Sequence, residues 1–232
     1  MSILSSVFAV AATLLLPVGA GIWLSLKKKG YLKPLLFGVL TFVVFQVLTR
    51  IPILQAVLPR MPWYIVMQTG YPLLSSLFLG GTAALFEEGG RYLVMSIFLK
   101  NRQRVSDGIA FGIGHGGIEA ILFAGLNAVW LLITASDYDP GLMFAGGVER
   151  ISAMLLHVAW SVMVLKSVRE KKIGYLFLAF ALHALIDVVA VFLGQHNHVS
   201  ILMLEILFGA FALLMLAYTI YEYKKSKNEA PV

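Results

Sequence analysis

The sequence contains no cysteine. Disulfide bonds, thiolate metal ligands and a cysteine nucleophile are therefore excluded, whichever compartment the chain occupies. Charge is scarce as well: 13% of the 232 residues are Asp, Glu, Lys or Arg, against 59% hydrophobic, and the mean hydropathy is +0.87. So few charges cannot cover a water-soluble globule, and the composition predicts an integral membrane protein. Extended polar segments are missing too, so no soluble domain is expected. The longest candidate loop, "ITASDYDPGLMFAGG" at 133–147, is too short to fold alone and reads as an external turn around Asp139, Pro140 and Gly141. There is no internal repeat.

Apolar length is what the chain has instead. A spanning helix needs about 20 mostly apolar residues, and seven stretches qualify: 4–26, 34–57, 65–99, 107–135, 148–166, 173–194 and 199–222. The expected fold is an all-α bundle of these seven transmembrane helices. It forms a single polytopic domain over residues 1–223, with a short polar tail at 224–232. Lys27, Lys28, Lys29 and Lys33 follow the first span, and Lys100, Arg102 and Arg104 the third. Lys166, Arg169, Lys171 and Lys172 follow the fifth, and Lys224, Lys225 and Lys227 the seventh, so 14 of the 18 basic residues lie on one side. The positive-inside rule makes that side cytosolic, with the N-terminus outside and the C-terminus inside. The net charge of +6 thus arises from short loops beside anionic lipid headgroups and needs no nucleic acid. The N-terminal stretch lacks a basic n-region and carries its lysines after the apolar run, so it reads as an uncleaved first span. A reporter fused after Lys225 is expected to work only as a cytosolic marker, and one inserted near Asp137 only as an external one. The opposite pair of results would contradict this topology.

Ionisable residues inside spans are costly and concentrate where function lies. The third span holds Glu87, Glu88 and Arg91 in "FEEGGRYLVMSIFLK", and the fourth holds His115 and Glu119 in "FGIGHGGIEA". The fifth holds His157 and the sixth His183 and Asp187, while spans one and two carry nothing comparable near their middles. At about 1.5 Å of rise per residue, counting from each cytosolic end puts His115 at about 12 Å, His157 at about 14 Å, His183 at about 15 Å and Glu87 at about 18 Å. Similar depth on four helices of alternating direction predicts one intramembrane site. Glu87 and Glu88 stand four and three residues before Arg91, Glu119 four after His115, and Asp187 four after His183, so each group shares a helix face. Arg91 can keep one glutamate ionised, and Glu119 and Asp187 can fix imidazole tautomers. The plainer reading is a set of buried polar pairs that lock helices together.

Gly112 and Gly116 form GxxxG around His115, with Gly114 and Gly117 beside them, and Gly89 and Gly90 follow the glutamates. Such residues let membrane helices pack closely, and packing is the whole reading for Gly80 and Gly81. His196 and His198 in "GQHNHVS" read as a solvated outer turn. Glu205, nearer the outer face of the last span, is expected to pair with an arginine of the outer loops.

Glu87-Glu88 followed by Arg91, then Phe111 four residues before His115, then His183 four before Asp187 form an ordered set on successive apolar spans. This set resembles the glutamic intramembrane proteases, the YhfC-type membrane peptidases most closely and, more distantly, PrsW and the type II CAAX prenyl proteases. The likeness covers spans three to six, residues 65–194. It implies a protease of membrane-associated proteins or peptides in the bacterial cell membrane. A glutamate would activate water there and histidines would stabilise the oxyanion. Glu87, aligned with the first family glutamate, would be the base, and Glu88 would pair with Arg91. Arg91, His115, His183 and Asp187 would complete the catalytic set, supported by Glu119 and His157. The CAAX group shows EExxxR and HxxxN where this chain has EExxR and HxxxD, so prenylated substrates do not carry over.

That chemistry has a physical basis. Burial raises a carboxylate's pKa toward the working range of a general base and a nearby guanidinium counters the rise, while a preplaced imidazole donor stabilises developing negative charge. HExxH and GxGD motifs and a rhomboid-like serine site are absent from the sequence. The expectation is a site without a cofactor. Two rivals remain. His115, His157 and His183 with nearby carboxylates would suit a divalent metal such as zinc, in a protease or a transporter. A non-catalytic scaffold is the other, since the seven-helix scaffold subunit of gamma-secretase is thought to share this fold and also keeps buried histidines.

Overall fold

The computed structural model describes residues 3–27, 30–134, 138–195 and 199–228. His196 and His198, expected in an outer turn, and Asp137 lie outside the described residues. Among those described there is helix and no strand. Six helices are long and apolar enough to cross a membrane: α1 (Ile3–Leu26), α2 (Leu32–Arg60), α5 (Val105–Ile133), α6 (Pro140–Glu170), α7 (Gly174–Gly194) and α8 (Ile201–Asn228). Between α2 and α5 lie a short helix, α3 (Pro62–Gly70), and the 27-residue α4 (Pro72–Phe98) that bears Glu87, Glu88 and Arg91.

Two boundaries differ from the sequence reading, both at proline. The stretch 65–99 is not one helix but breaks at Tyr71, whose φ of −134° and ψ of 73° leave the helical region. The ring of Pro72 disfavours helical backbone at the residue before it, and proline itself suits the first turn of the next helix. The loop expected at 133–147 is also largely helix, because α6 begins at Pro140. The side chain of Asp139 accepts hydrogen bonds from the amides of Gly141 at 2.6 Å and Leu142 at 3.1 Å. The residues read as a turn are an N-cap followed by proline at the first helical position.

Wide, π-type turns interrupt α1 at Ala11–Leu15, α2 at Val43–Arg50 and Ile53–Val57, and α5 at Ile121–Gly125. Pro17 and Pro52 follow such turns, as expected where proline denies the helix a donor. The N-terminus of α5 is closed by a capping box of Arg104 and Asp107. Asp107 is fully buried and accepts from the Arg104 amide at 3.1 Å and its Nε at 3.0 Å. These hydrogen bonds, and then the carboxylate's charge, hold the Arg104 pKa above its ordinary value.

The chain forms two compact units. One comprises residues 1–39, 101–162 and 201–232, the other residues 40–100 and 163–200. In the first, Leu16–Lys27 packs along Val105–Ala120, and Phe8 stacks on Phe144 at 4.6 Å. In the second, α4 and α7 pair most intimately. A Cβ at Gly80 would come within 2.7 Å of the Val188 backbone nitrogen, which bears out the packing role read for that glycine. Across the chain, Leu4, Leu26, Trp130 and Ile133 are exposed while Glu88, Arg91, Asp107 and His115 are buried. Apolar outside and polar inside is the arrangement a lipid solvent imposes.

Candidate functional site

Among the described residues, each unit holds a cluster of buried ionisable side chains. In the second unit, Glu87, Glu88 and Arg91 project from one stretch of α4, as their spacing predicts. Arg91 Nη2 lies 3.2 Å from Glu87 Oε2, and Nη1 contacts Glu88 Oε1. Both glutamates therefore reach the guanidinium, where the sequence divides them into one free and one paired. From α7, His183 Nδ1 lies 2.6 Å from Glu88 Oε1, while Nε2 faces Asp187 Oδ2 at 3.5 Å. The expected His183 and Asp187 pair thus forms, but the ring stands between two carboxylates.

Gln46 and Arg50 of the second span, where nothing comparable is expected near the middle, also join this cluster. Gln46 donates from Nε2 to Glu87 Oε1 at 2.8 Å and accepts at Oε1 from Arg50 Nη1 at 3.2 Å. Arg50 donates further to Leu79 O at 2.6 Å and to Thr82 Oγ1 at 3.2 Å. A guanidinium only donates and a carboxylate only accepts, so the amide has one orientation that satisfies both. Both residues lie in the wide turn Val43–Arg50 of α2, and a local wide turn was the feature that spacing could not reveal. Gln46→Leu would remove a donor from the buried Glu87 and an acceptor from the half-buried Arg50, and loss of a buried partner typically costs about 1–3 kcal/mol. Its melting temperature in nanodiscs is expected to fall; an unchanged value would remove Gln46 from the network.

In the first unit, His115 and Glu119 lie on α5, and His157, Glu149 and Arg150 on α6. His115 is fully buried and His157 nearly so, their rings 5.2 Å apart. Phe111 packs beside His115 with ring centroids 6.3 Å apart. The close approach depends on glycine: a Cβ at Gly112 would meet the His157 carbonyl oxygen at 2.8 Å, and one at Gly116 the His157 Cβ at 3.0 Å. GxxxG is thus the seat of His157. Glu119 turns to that histidine, its Oε2 lying 2.5 Å from His157 Nε2, while Oε1 accepts from Arg150 Nη1 at 2.9 Å. The tautomer partner expected for His115 is engaged by the facing helix.

One nitrogen each of His115 and His157 and one oxygen of Glu119 lie within 4.8 Å of one another. Two imidazoles and a carboxylate make a ligand set that suits zinc, whose bonds to such atoms are about 2.0–2.2 Å. The donor chemistry suits a divalent ion, and ligation would require Glu119 Oε2 and His157 Nε2 to move apart from their 2.5 Å contact. Glu119, rather than the His183 of the sequence alternative, completes the set within this unit.

Residues 12–143 and 137–208 match the family described as YhfC intramembrane metalloprotease. The chain belongs to the YhfC family. It is 32% identical over 209 residues to the uncharacterized membrane protein YhfC of Bacillus subtilis (strain 168), covering 78% of this chain and 81% of that relative. No solved structure matches. The YhfC resemblance read from the motifs is confirmed, and with the six apolar spans it makes the chain a multi-pass integral membrane protein. The description of the family as metallo gives no support to the expectation of a site without a cofactor. It favours the metal alternative.

Glu205 Oε2 has no hydrogen-bond partner among the described residues, while the charge of Arg150, an arginine of the kind expected beside it, acts on the carboxylate.

Proposed function

We propose that this YhfC member is a metal-dependent intramembrane protease that hydrolyses a peptide bond in a membrane-associated protein or peptide. The observation that carries the reading is the set of buried His115 and His157 with the half-buried Glu119, whose donor atoms converge within 4.8 Å in a family described as metalloprotease. A divalent ion held there would supply Lewis acidity, polarising a carbonyl and easing deprotonation of water.

The other roles fall to the chain's own side chains. Glu87 takes the proton of the attacking water. Its oxygens accept hydrogen bonds from Gln46 and from Arg91. Its side chain is 7% exposed against 1% for Glu88, so it is the more accessible of the two. Glu88 anchors Arg91 and His183. His183, with both nitrogens directed at carboxylates, suits a holding role better than the oxyanion role the resemblance gives it. Buried imidazoles also turn polar edges inward where lipid cannot reach them. Counted along the sequence, Glu87 and the histidines lie at a common depth.

The test is peptide release by the purified protein from a synthetic peptide bearing a single apolar span. Chelator should abolish release and zinc restore it. Release that persists in chelator would support a metal-free glutamic mechanism. Zinc uptake into proteoliposomes without cleavage would support a transporter, and peptide binding without either a scaffold.

A further inference from the structure

Arg150 belongs to no motif, yet it is tightly engaged within α6. Its Nε and Nη2 edge grips both carboxylate oxygens of Glu149. That two-point contact fixes the plane of the guanidinium, leaving Nη1 directed at Glu119 Oε1 at 2.9 Å. The same carboxylate presents Oε2 to His157 Nε2 at 2.5 Å. The terminal torsion of a glutamate is broad, so an untethered carboxylate would spread its ligand oxygen over many orientations. Arg150 also stands seven residues before His157 on α6, two turns away on one helix face, so one helix carries both the tether and a ligand.

We infer that Arg150 is the positioning residue of the metal-holding set: it ties back one oxygen of Glu119 and thereby aims the other toward His115 and His157. This rests on the metalloprotease reading. Lysine cannot replace it, because one ammonium cannot grip Glu149 along an edge while holding Glu119 in a set direction.

The test compares wild type, Arg150→Met and Arg150→Lys as full chains in nanodiscs. Zinc affinity is read by competition with a chromophoric chelator, and metal-free melting temperatures establish that each variant is folded. Outer partners of metal ligands typically contribute about 10–100-fold in affinity, and Arg150→Met is expected to lose that much. Arg150→Lys, with the charge but not the fork, should fall between it and wild type. A merely structural arginine would lower the melting temperature and leave the affinity of the folded protein unchanged. Wild-type affinity in folded Arg150→Met overturns the inference; should that variant not fold, wild-type affinity in Arg150→Lys does so. A wild type that binds no zinc overturns the metalloprotease reading, and this inference with it.

Discussion

Glu87→Gln is expected to fold and to release peptide at least about 10²–10⁴-fold more slowly than wild type, the usual contribution of a general base. The amide keeps the shape of the side chain but accepts no proton, and Arg91 retains Glu88 as its ionic partner. Glu88→Gln should behave differently. Glu88 joins Arg91 on its own helix to His183 on α7, and removing one partner of a buried ion pair costs about 3–5 kcal/mol. That variant should therefore lose thermal stability as well as activity. Purified variants compared for melting temperature and peptide release decide between the two. Normal cleavage by Glu87→Gln with a folded but inactive Glu88→Gln would reverse the roles, and two active variants would remove both from the chemistry.

His157→Ala is expected to lose metal and activity together. It removes one of three converging donors, so its effect on zinc affinity should exceed the 10–100-fold typical of outer partners. The small side chain fits beside Gly112 and Gly116, which already allow close helix approach, so folding should persist. Zinc affinity and peptide release measured on the same preparation check this. Wild-type turnover in a folded His157→Ala protein would take the residue out of the site.

What could be read in the sequence was local or periodic. Apolar length gave the helices, and three- and four-residue spacing joined Glu87 and Glu88 to Arg91 and His183 to Asp187, because helix geometry fixes such neighbours. Asp139 and Pro140 misled because the same residue types make turns and open helices; only the chain that follows decides, and here it continues as α6. Tyr71 and Pro72 broke a span that hydropathy averages over. The contact of Glu119 with His157 depends on how two helices meet, which a spacing rule within one helix does not address. Gln46 escaped because a neutral amide carries no insertion penalty large enough to draw attention, although it links two charged residues. Arg150 belongs to no spacing pattern, because its partner Glu119 lies on another helix.

The most direct measurement is the metal content of the purified wild-type protein and of a His115→Ala, His157→Ala double variant, determined by elemental analysis beside peptide release from the same samples. A single divalent ion per wild-type chain, lost together with cleavage in the double variant, is the predicted result. Wild-type protein that cleaves the peptide while holding no stoichiometric metal would contradict it.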